Sequence, residues 1–267
     1  MSETGQLRKR LLWSAIFCSV TAYTIFLAPA WFFLLIVEIF IFLGLSEYFH
    51  MAEQKGFLIN RYLGLTFGAL LPLPFYLSGE TIILSMAVLC LFIFNFHRQL
   101  RVQAMISTAL TLFGLIYVGW FFSFLTKIRA LPHGPLWVFY IILIIKVGDA
   151  AAYFIGKRFG IHKYAVHISP NKSVEGAAAG FLATCLASVI SKIYLPEASW
   201  VHLVILGAVF GILGQLGDLA ESLLKRDAGV KDSGHVPGLG GILDVIDSLL
   251  LTIPVLYYYL TAIGIGS

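Results

Sequence analysis

Asp218, Ser222 and Lys225 stand at i, i+4 and i+7 in the stretch GQLGDLAESLLKRDAGVKDSGHVPGLGGILDVIDS, a spacing that gathers them on one face of a helix. Glu221 lies beside that face, and Asp244 and Asp247, three apart, share a face near the start of the next helix. Carboxylates at membrane depth are costly unless paired, hydrated or bound to a cation. Asp218, Asp244 and Asp247, converging from two neighbouring helices, suggest a divalent cation. Hard oxygen ligands suit Mg²⁺, which completes its shell with water and substrate phosphate. Lys225, Arg226 and Lys231 supply the opposite charge, with Asp232 in the same loop. The run Gly234, Gly238, Gly240 and Gly241 lets backbone N–H groups approach an anion at a helix start. Metal ligands, cations and exposed amides together describe a phosphate site. The spacing alone equally suits an ordinary basic loop followed by acids that complement a helix dipole.

A second polar cluster lies upstream, in KVGDAAAYFIGKRFGIHKYAVHISPNKSVEGAAAG. Asp149 comes late in an apolar segment, one turn after Lys146, and is followed by Lys157 and Arg158. Ser169, Lys172, Ser173 and Glu175 then precede a helix rich in small residues. Ser173 can cap that helix, leaving free N–H groups for a phosphate with Lys172 alongside. The phosphate loop GxxxxGK[ST] is absent, and a plain capped helix start explains SPNKS by itself. An Asp149–Lys146 pair within the membrane is as compatible with structure as with function. His162, His167 and His235 lack metal-ligand spacing and read as interfacial or loop residues.

The elements that must position these residues are membrane helices. The chain has 267 residues, 59% of them hydrophobic and only 12% charged, composition far outside the soluble range. Long stretches lack Asp, Glu, Lys and Arg: 11–37, 62–79, 81–96, 102–126, 176–191, 198–217 and 248–267. About 20 apolar residues span a hydrocarbon core of about 30 Å. The pattern predicts an all-α polytopic protein with about nine transmembrane helices, near 11–28, 31–48, 60–78, 81–96, 103–126, 134–155, 175–194, 200–223 and 242–263. RKR before the first apolar run resembles the start of a signal peptide, but the run is long and a second follows at once, so it reads as a retained span. With the N-terminus in the cytoplasm, the loops returning there carry Lys55 and Arg61, Arg98 and Arg101, then Lys157, Arg158, Lys163 and Lys172, then Lys225, Arg226 and Lys231. The other side keeps Lys127, Arg129 and Lys192, as the positive-inside rule requires. Cys18, Cys90 and Cys185 lie in apolar runs without metal or disulfide spacing and read as packing residues. More than half of the charged residues fall between Asp149 and Asp247. Residues 1–133 therefore read as scaffold helices and 134–267 as the catalytic region of a single membrane domain.

The order GDLAESLLKRDAGVKDSG, then PG, then GGILDVIDS resembles the signature of the phosphatidate cytidylyltransferases, the CDP-diacylglycerol synthases. GDAAAYFIGKRFG and SPNKSVEG resemble that family's other cytoplasmic motif, usually DxxAYxxGxxFG and SPxKTxEG. Together they cover residues 149–248. Two departures stand out: family members usually read HLIPGHGG and LDRxD, where this chain has HVPGLGG and LDVID. It is one residue shorter there, with Leu239 for a histidine and Val245 for an arginine.

The resemblance implies that CTP and phosphatidate give CDP-diacylglycerol and pyrophosphate, with a divalent metal, a helical membrane fold and a homodimer. It places the protein in a bacterial cytoplasmic membrane with the site facing the cytoplasm, and no nucleic-acid partner is expected. On this reading Asp218 and Asp244 are the principal Mg²⁺ ligands and Asp247 an auxiliary one, with a second ion of unknown identity allowed. Lys225, Arg226 and Lys231 hold the triphosphate or the lipid phosphate, and Ser169, Lys172 and Ser173 the other phosphate partner. Asp149 and Glu175 orient those cations, and Ser222, Asp232, Gly240 and Gly241 complete the substrate-binding set. A CTP-dependent polyprenol or phytol kinase and a membrane transporter are the alternatives. The kinase would release CDP, and its alcohol acceptor would need a carboxylate base. The transporter would move solute without consuming nucleotide.

Overall fold

The computed structural model describes residues 19–73, 79–97, 103–234 and 240–264. Cys18, Arg98, Arg101, His235, Gly238 and Leu239 lie outside them. Among the described residues there is no strand; Lys163 and Ser173 form an isolated bridge. After helical residues 19–26, the helices are α1 (Ala30–Gln54), α2 (Arg61–Leu70), α3 (Glu80–His97), α4 (Ala104–Ala130), α5 (Gly134–Phe159), α6 (Val174–Ile190), α7 (Trp200–Asp227), α8 (Ile242–Leu250) and α9 (Thr252–Ala262). Lipid offers the backbone no hydrogen bonds, so each apolar segment satisfies its own N–H and C=O groups as helix. The chain is an all-α, multi-pass membrane protein.

All nine expected segments contain helix, but they are not nine equal spans. Among the described residues, six are long and apolar enough to cross a membrane: α1, α4, α5, α6 with the 3₁₀ turn after it, α7, and α8 with α9. α2 has ten residues, roughly 15 Å of rise, half of what a bilayer needs. The segment expected over 60–78 is thus cut short at Leu70. Pro72 is the cause: in a continuing helix it would leave the Gly68 carbonyl without its donor and clash with the preceding turn. Pro254 acts in the same way on Leu250, and the last span breaks at Leu251 into α8 and α9. Within α4, residues Leu115–Trp120 form a π-helical stretch.

Small residues set the closest helix approaches. Gly148, Ala152 and Gly156 on α5 face Gly176, Gly180 and Thr184 on α6. A methyl on Gly180 would lie 2.9 Å from Ala152 Cβ and 3.0 Å from the Gly148 carbonyl. This four-residue spacing of small side chains is the usual device for helix association in lipid, where dispersion contacts replace the hydrophobic effect. Gly207 and Gly211 bring α7 against Cys185 and Phe181 of α6, and Gly217 brings it against Asp247 and Ser248 of α8. Cys90 and Cys185 are both free thiols. In the first half, Asn60, Asn95, Ser107 and Thr108 form a buried hydrogen-bonded cluster joining α2, α3 and α4.

Candidate active site

A cavity of about 670 Å³ opens between α5, α6, α7 and the loops at one end of the molecule, lined entirely from residues 145–232. Its mouth carries Lys163, Lys172, Lys225, Arg226, Lys231 and Asp232. Its inner part runs along Gly148, Gly180, Gly211 and Gly214 to Thr184 and Phe210. A cationic mouth thus continues into a groove of small and apolar residues. Of the residues singled out in the sequence, Asp149, Ser169, Lys172, Ser173, Asp218, Ser222, Lys225, Arg226, Lys231 and Asp232 line this cavity; Glu175, Gly240, Gly241, Asp244 and Asp247 do not.

Asp218 is the link between the two polar clusters. Its Oδ2 lies 3.0 Å from Lys172 Nζ, and Ser222 Oγ is 3.5 Å from its Oδ1. α7 is thereby tied to the SPNKS loop. Ser173 caps α6 as expected, its buried hydroxyl accepting from Gly176 N at 3.2 Å. Asp149 is held by Lys146 (3.0 Å) and by Ser248 Oγ (2.9 Å), so α5 and α8 are joined at the cavity wall. Tyr164, on the loop before α6, also lines the cavity, where burial and the charge of Asp218 push its phenol above the ordinary value.

Several expected roles fall differently. Asp244 Oδ1 is 2.5 Å from Lys225 Nζ, while its Oδ2 accepts from Gly241 N (2.8 Å) and Ser233 N (3.2 Å). Its oxygens therefore brace the loop and the start of α8. Lys225 also pairs with fully buried Glu221. The glycine run was expected to aim free amides at an anion. Three described amides at the end of this loop are taken by the protein's own carboxylates: Asp244 receives Gly241 N, and Glu47 receives Ile242 N and Leu243 N, each at 2.9 Å. Gly240 adopts φ +84°, a conformation that side chains rarely tolerate, and a side chain on Gly241 would collide with Ser233. Arg226 donates to the carbonyls of Ile168 (3.0 Å) and Val230 (3.3 Å), stapling two loops. Glu175 accepts from Ile161 N, His162 N and the His162 ring, closing the turn after α5 rather than facing the cavity.

The expected Asp218–Asp244–Asp247 cage is not assembled. Among the described residues, no three His, Cys, Asp or Glu side chains are grouped to hold a metal ion. Asp247 is buried, with Oδ1 2.5 Å from Ser248 N, and the charges that act on it are those of Asp218, Lys146 and Asp149. The acids that gather at the cavity are thus Asp149 and Asp218, with Asp247 behind them. Two cavity carboxylates plus room for phosphate and water match what Mg²⁺ takes, so the donor set fits that ion.

Sequence reasoning missed two residues. Glu47, on α1, accepts from Ser233 Oγ (2.9 Å) as well as from the start of α8, so it anchors both sides of the glycine loop from the scaffold half. A lone acid inside an apolar run is expensive, and that cost was the available signal. Tyr117, on the π-helical stretch, keeps a buried hydroxyl with no hydrogen-bond partner among the described residues, within electrostatic reach of Asp247, Glu221 and Asp218. Nothing in the local sequence marks it.

The family model described as the Cytidylyltransferase family matches residues 8–263. The chain belongs to the cytidylyltransferase family. A Synechocystis protein named phosphatidate cytidylyltransferase is 32% identical to it over 92% of this chain and 94% of its own length. A Chlamydia pneumoniae protein of the same name is 36% identical over 81% and 78% of the two chains. One from Bacillus subtilis is 43% identical over 54% and 55%. The match to the cytidylyltransferase model takes in α1 and α4 as well as the cavity-forming helices, so Glu47 and Tyr117 lie inside the matched region.

Proposed function

We propose that this cytidylyltransferase moves the cytidylyl group of CTP onto phosphatidate, giving CDP-diacylglycerol and pyrophosphate. The observation that carries the reading is the cavity itself: a mouth of lysines and arginine suited to phosphates, continuous with a small-residue groove suited to a lipid. Relatives bearing the name phosphatidate cytidylyltransferase over most of the chain support it.

The chemistry needs little acid–base help. A phosphomonoester has a second pKa near 6, so phosphatidate arrives largely as a dianion. One of its oxygens forms the new bond to the α-phosphorus of CTP while the bond to the bridging oxygen breaks and pyrophosphate departs with that electron pair. The difficulty is bringing two anions together and neutralising the leaving group. Lys172, Lys225 and Lys231 hold phosphate charge at the mouth, and Asp218 orients Lys172. Lys146 and Ser248 fix Asp149 on the opposite wall. Asp218 and Asp149 would hold Mg²⁺, with Asp247 behind them and Asp244 reassigned to bracing Lys225. When bound, the ion supplies charge neutralisation on the phosphates.

In the same reading the protein sits in a bacterial cytoplasmic membrane, cavity mouth toward the cytoplasm where CTP is, and works as the homodimer that the resemblance implies. Bacterial relatives and the basic residues at the cavity end support this placement. The test is product analysis of purified protein given CTP, phosphatidate and Mg²⁺. Equal yields of CDP-diacylglycerol and pyrophosphate, both lost with EDTA, are expected. CDP formed with a lipid alcohol, and no pyrophosphate with phosphatidate, would replace the reading with a kinase.

A further inference from the structure

Beside the main cavity lies a separate polar recess of about 250 Å³, formed by the end of α1, the start of α2 and the loop before α8. The two share one lining residue, Asp232. The recess is larger than a pyrimidine ring and opens at the same end of the molecule as the lysines of the main cavity. The Lys55–Asp227 ion pair, at 2.6 Å, ties the end of α1 to the end of α7 and so holds the two hollows side by side.

The recess presents an ordered set of hydrogen-bonding groups. Arg61 gives one amino group to Ser46 Oγ at 2.5 Å and another to Glu53 Oε2 at 3.3 Å, and its planar fork still has N–H donors to spare. The amide nitrogen of Gln54 lies 2.9 Å from His50 Nε2, which fixes the side chain and leaves its carbonyl oxygen as an acceptor. Both oxygens of Glu47 are already committed to Ser233 and to α8, so this carboxylate forms the floor without adding an open acceptor. An amide acceptor beside guanidinium donors matches the edge of cytosine, which offers an amino donor at N4 and acceptors at N3 and O2. Uracil offers an acceptor at O4 and a donor at N3, and would mismatch at both positions.

We propose that this recess takes the cytosine of CTP, with the Gln54 carbonyl oxygen accepting from N4 and Arg61 donating to N3 and O2. The triphosphate then passes Asp232 into the main cavity toward Lys231 and Lys225. The inference rests on the proposal that CTP is the nucleotide used, and adds the residues that distinguish it from UTP. A site built to hydrogen-bond a particular edge rejects an analogue that leaves its polar groups unpaired.

The experiment measures kcat/KM for CTP and for UTP with phosphatidate, in the wild-type protein, Gln54→Ala and Arg61→Lys. Gln54 is exposed, so its truncation spares the fold. The expected result is a CTP preference that falls by about tenfold or more in each variant, with the KM for phosphatidate unchanged. A CTP:UTP ratio that stays at the wild-type value, even if both rates drop, overturns the proposal, because that is what a merely structural role produces. Thermal stabilisation by each nucleotide alone is measured in parallel. If the wild-type protein shows no turnover, the failure belongs to the reaction, and the recess is still decided: stabilisation by CTP over UTP that vanishes in Gln54→Ala supports it, and equal stabilisation by both overturns it.

Discussion

Glu47 shows how much one side chain holds in place. Its carboxylate receives three donors from the loop and helix that follow Ser233, and the pairs are separated by 186 to 196 residues. Replacing it by leucine leaves two helix-start amides and a serine hydroxyl without acceptors at a partly buried site. Charge-assisted hydrogen bonds contribute about 1.5–3 kcal/mol each in favourable cases, so Glu47→Leu should cost about 3 kcal/mol or more. A lowered melting temperature in detergent, with Glu47→Gln intermediate, is the expected outcome, and an unchanged melting temperature would mean the contacts carry no stability. The sequence made Asp218, Lys225 and Asp149 visible because each is costly in an apolar context and has charged neighbours within two helical turns. Glu47 and Tyr117 were hidden because their meaning depends on partners far along the chain. Asp244 was visible, but its partner was not: proximity in sequence to Asp247 said nothing of Lys225, which reaches it from the preceding helix.

At the level of helices, glycine decides which acids meet. Gly217 allows α7 to lie against the backbone of α8, where an added methyl would sit 2.5 Å from the Asp247 carbonyl oxygen and 3.1 Å from Ser248 Cα. Backbone cannot step aside as a flexible side chain can. Gly217→Ala should therefore separate α7 from α8, moving Asp218 relative to Asp247 and Asp149. Overpacking costs of about 1–3 kcal/mol are typical, and here the fall in kcat should exceed what that loss of stability explains. Turnover equal to wild type at a temperature where the variant remains folded would show that the close approach is dispensable. The helices themselves were mostly legible, since unbroken apolar runs in lipid can only be helix. What escaped was their interruption. Pro72 and Pro254 were readable breaks that the hydropathy of 62–79 and 248–267 overrode, whereas the π-helical stretch of α4 has no local signature.

Across the whole molecule, the polar chemistry gathers at one end. Lys55 meets Asp227, Lys172 meets Asp218, and Arg226 meets the loop carbonyls beside the cavity mouth. The largely buried pair Lys127–Glu80 and the exposed pair His133–Glu197 lie at helix ends and connections that alternate with these along the chain. On the proposed placement, the positive-inside bias puts the first set in the cytoplasm. In a cysteine-free background, Lys231→Cys should react with a membrane-impermeant maleimide only in inside-out vesicles, and Glu197→Cys only in intact cells. The reverse pattern would place the cavity on the wrong side for CTP. The scaffold and catalytic halves expected from charge distribution are coupled more closely than composition suggested. The cavity is lined from the second half, yet its loop hangs from Glu47 in the first.

The most direct measurement of the central claim follows label from CTP carrying a labelled α-phosphate into the lipid phase, with phosphatidate and Mg²⁺, for the wild-type protein and Asp218→Asn. The account predicts that the wild type transfers label to lipid, and that Asp218→Asn purifies normally but transfers at least about 100-fold less, because the cavity loses the carboxylate that holds Lys172 and that we propose serves the metal. Label that stays in the aqueous phase with the wild type, or an Asp218→Asn variant that transfers at near-normal rate, would contradict it.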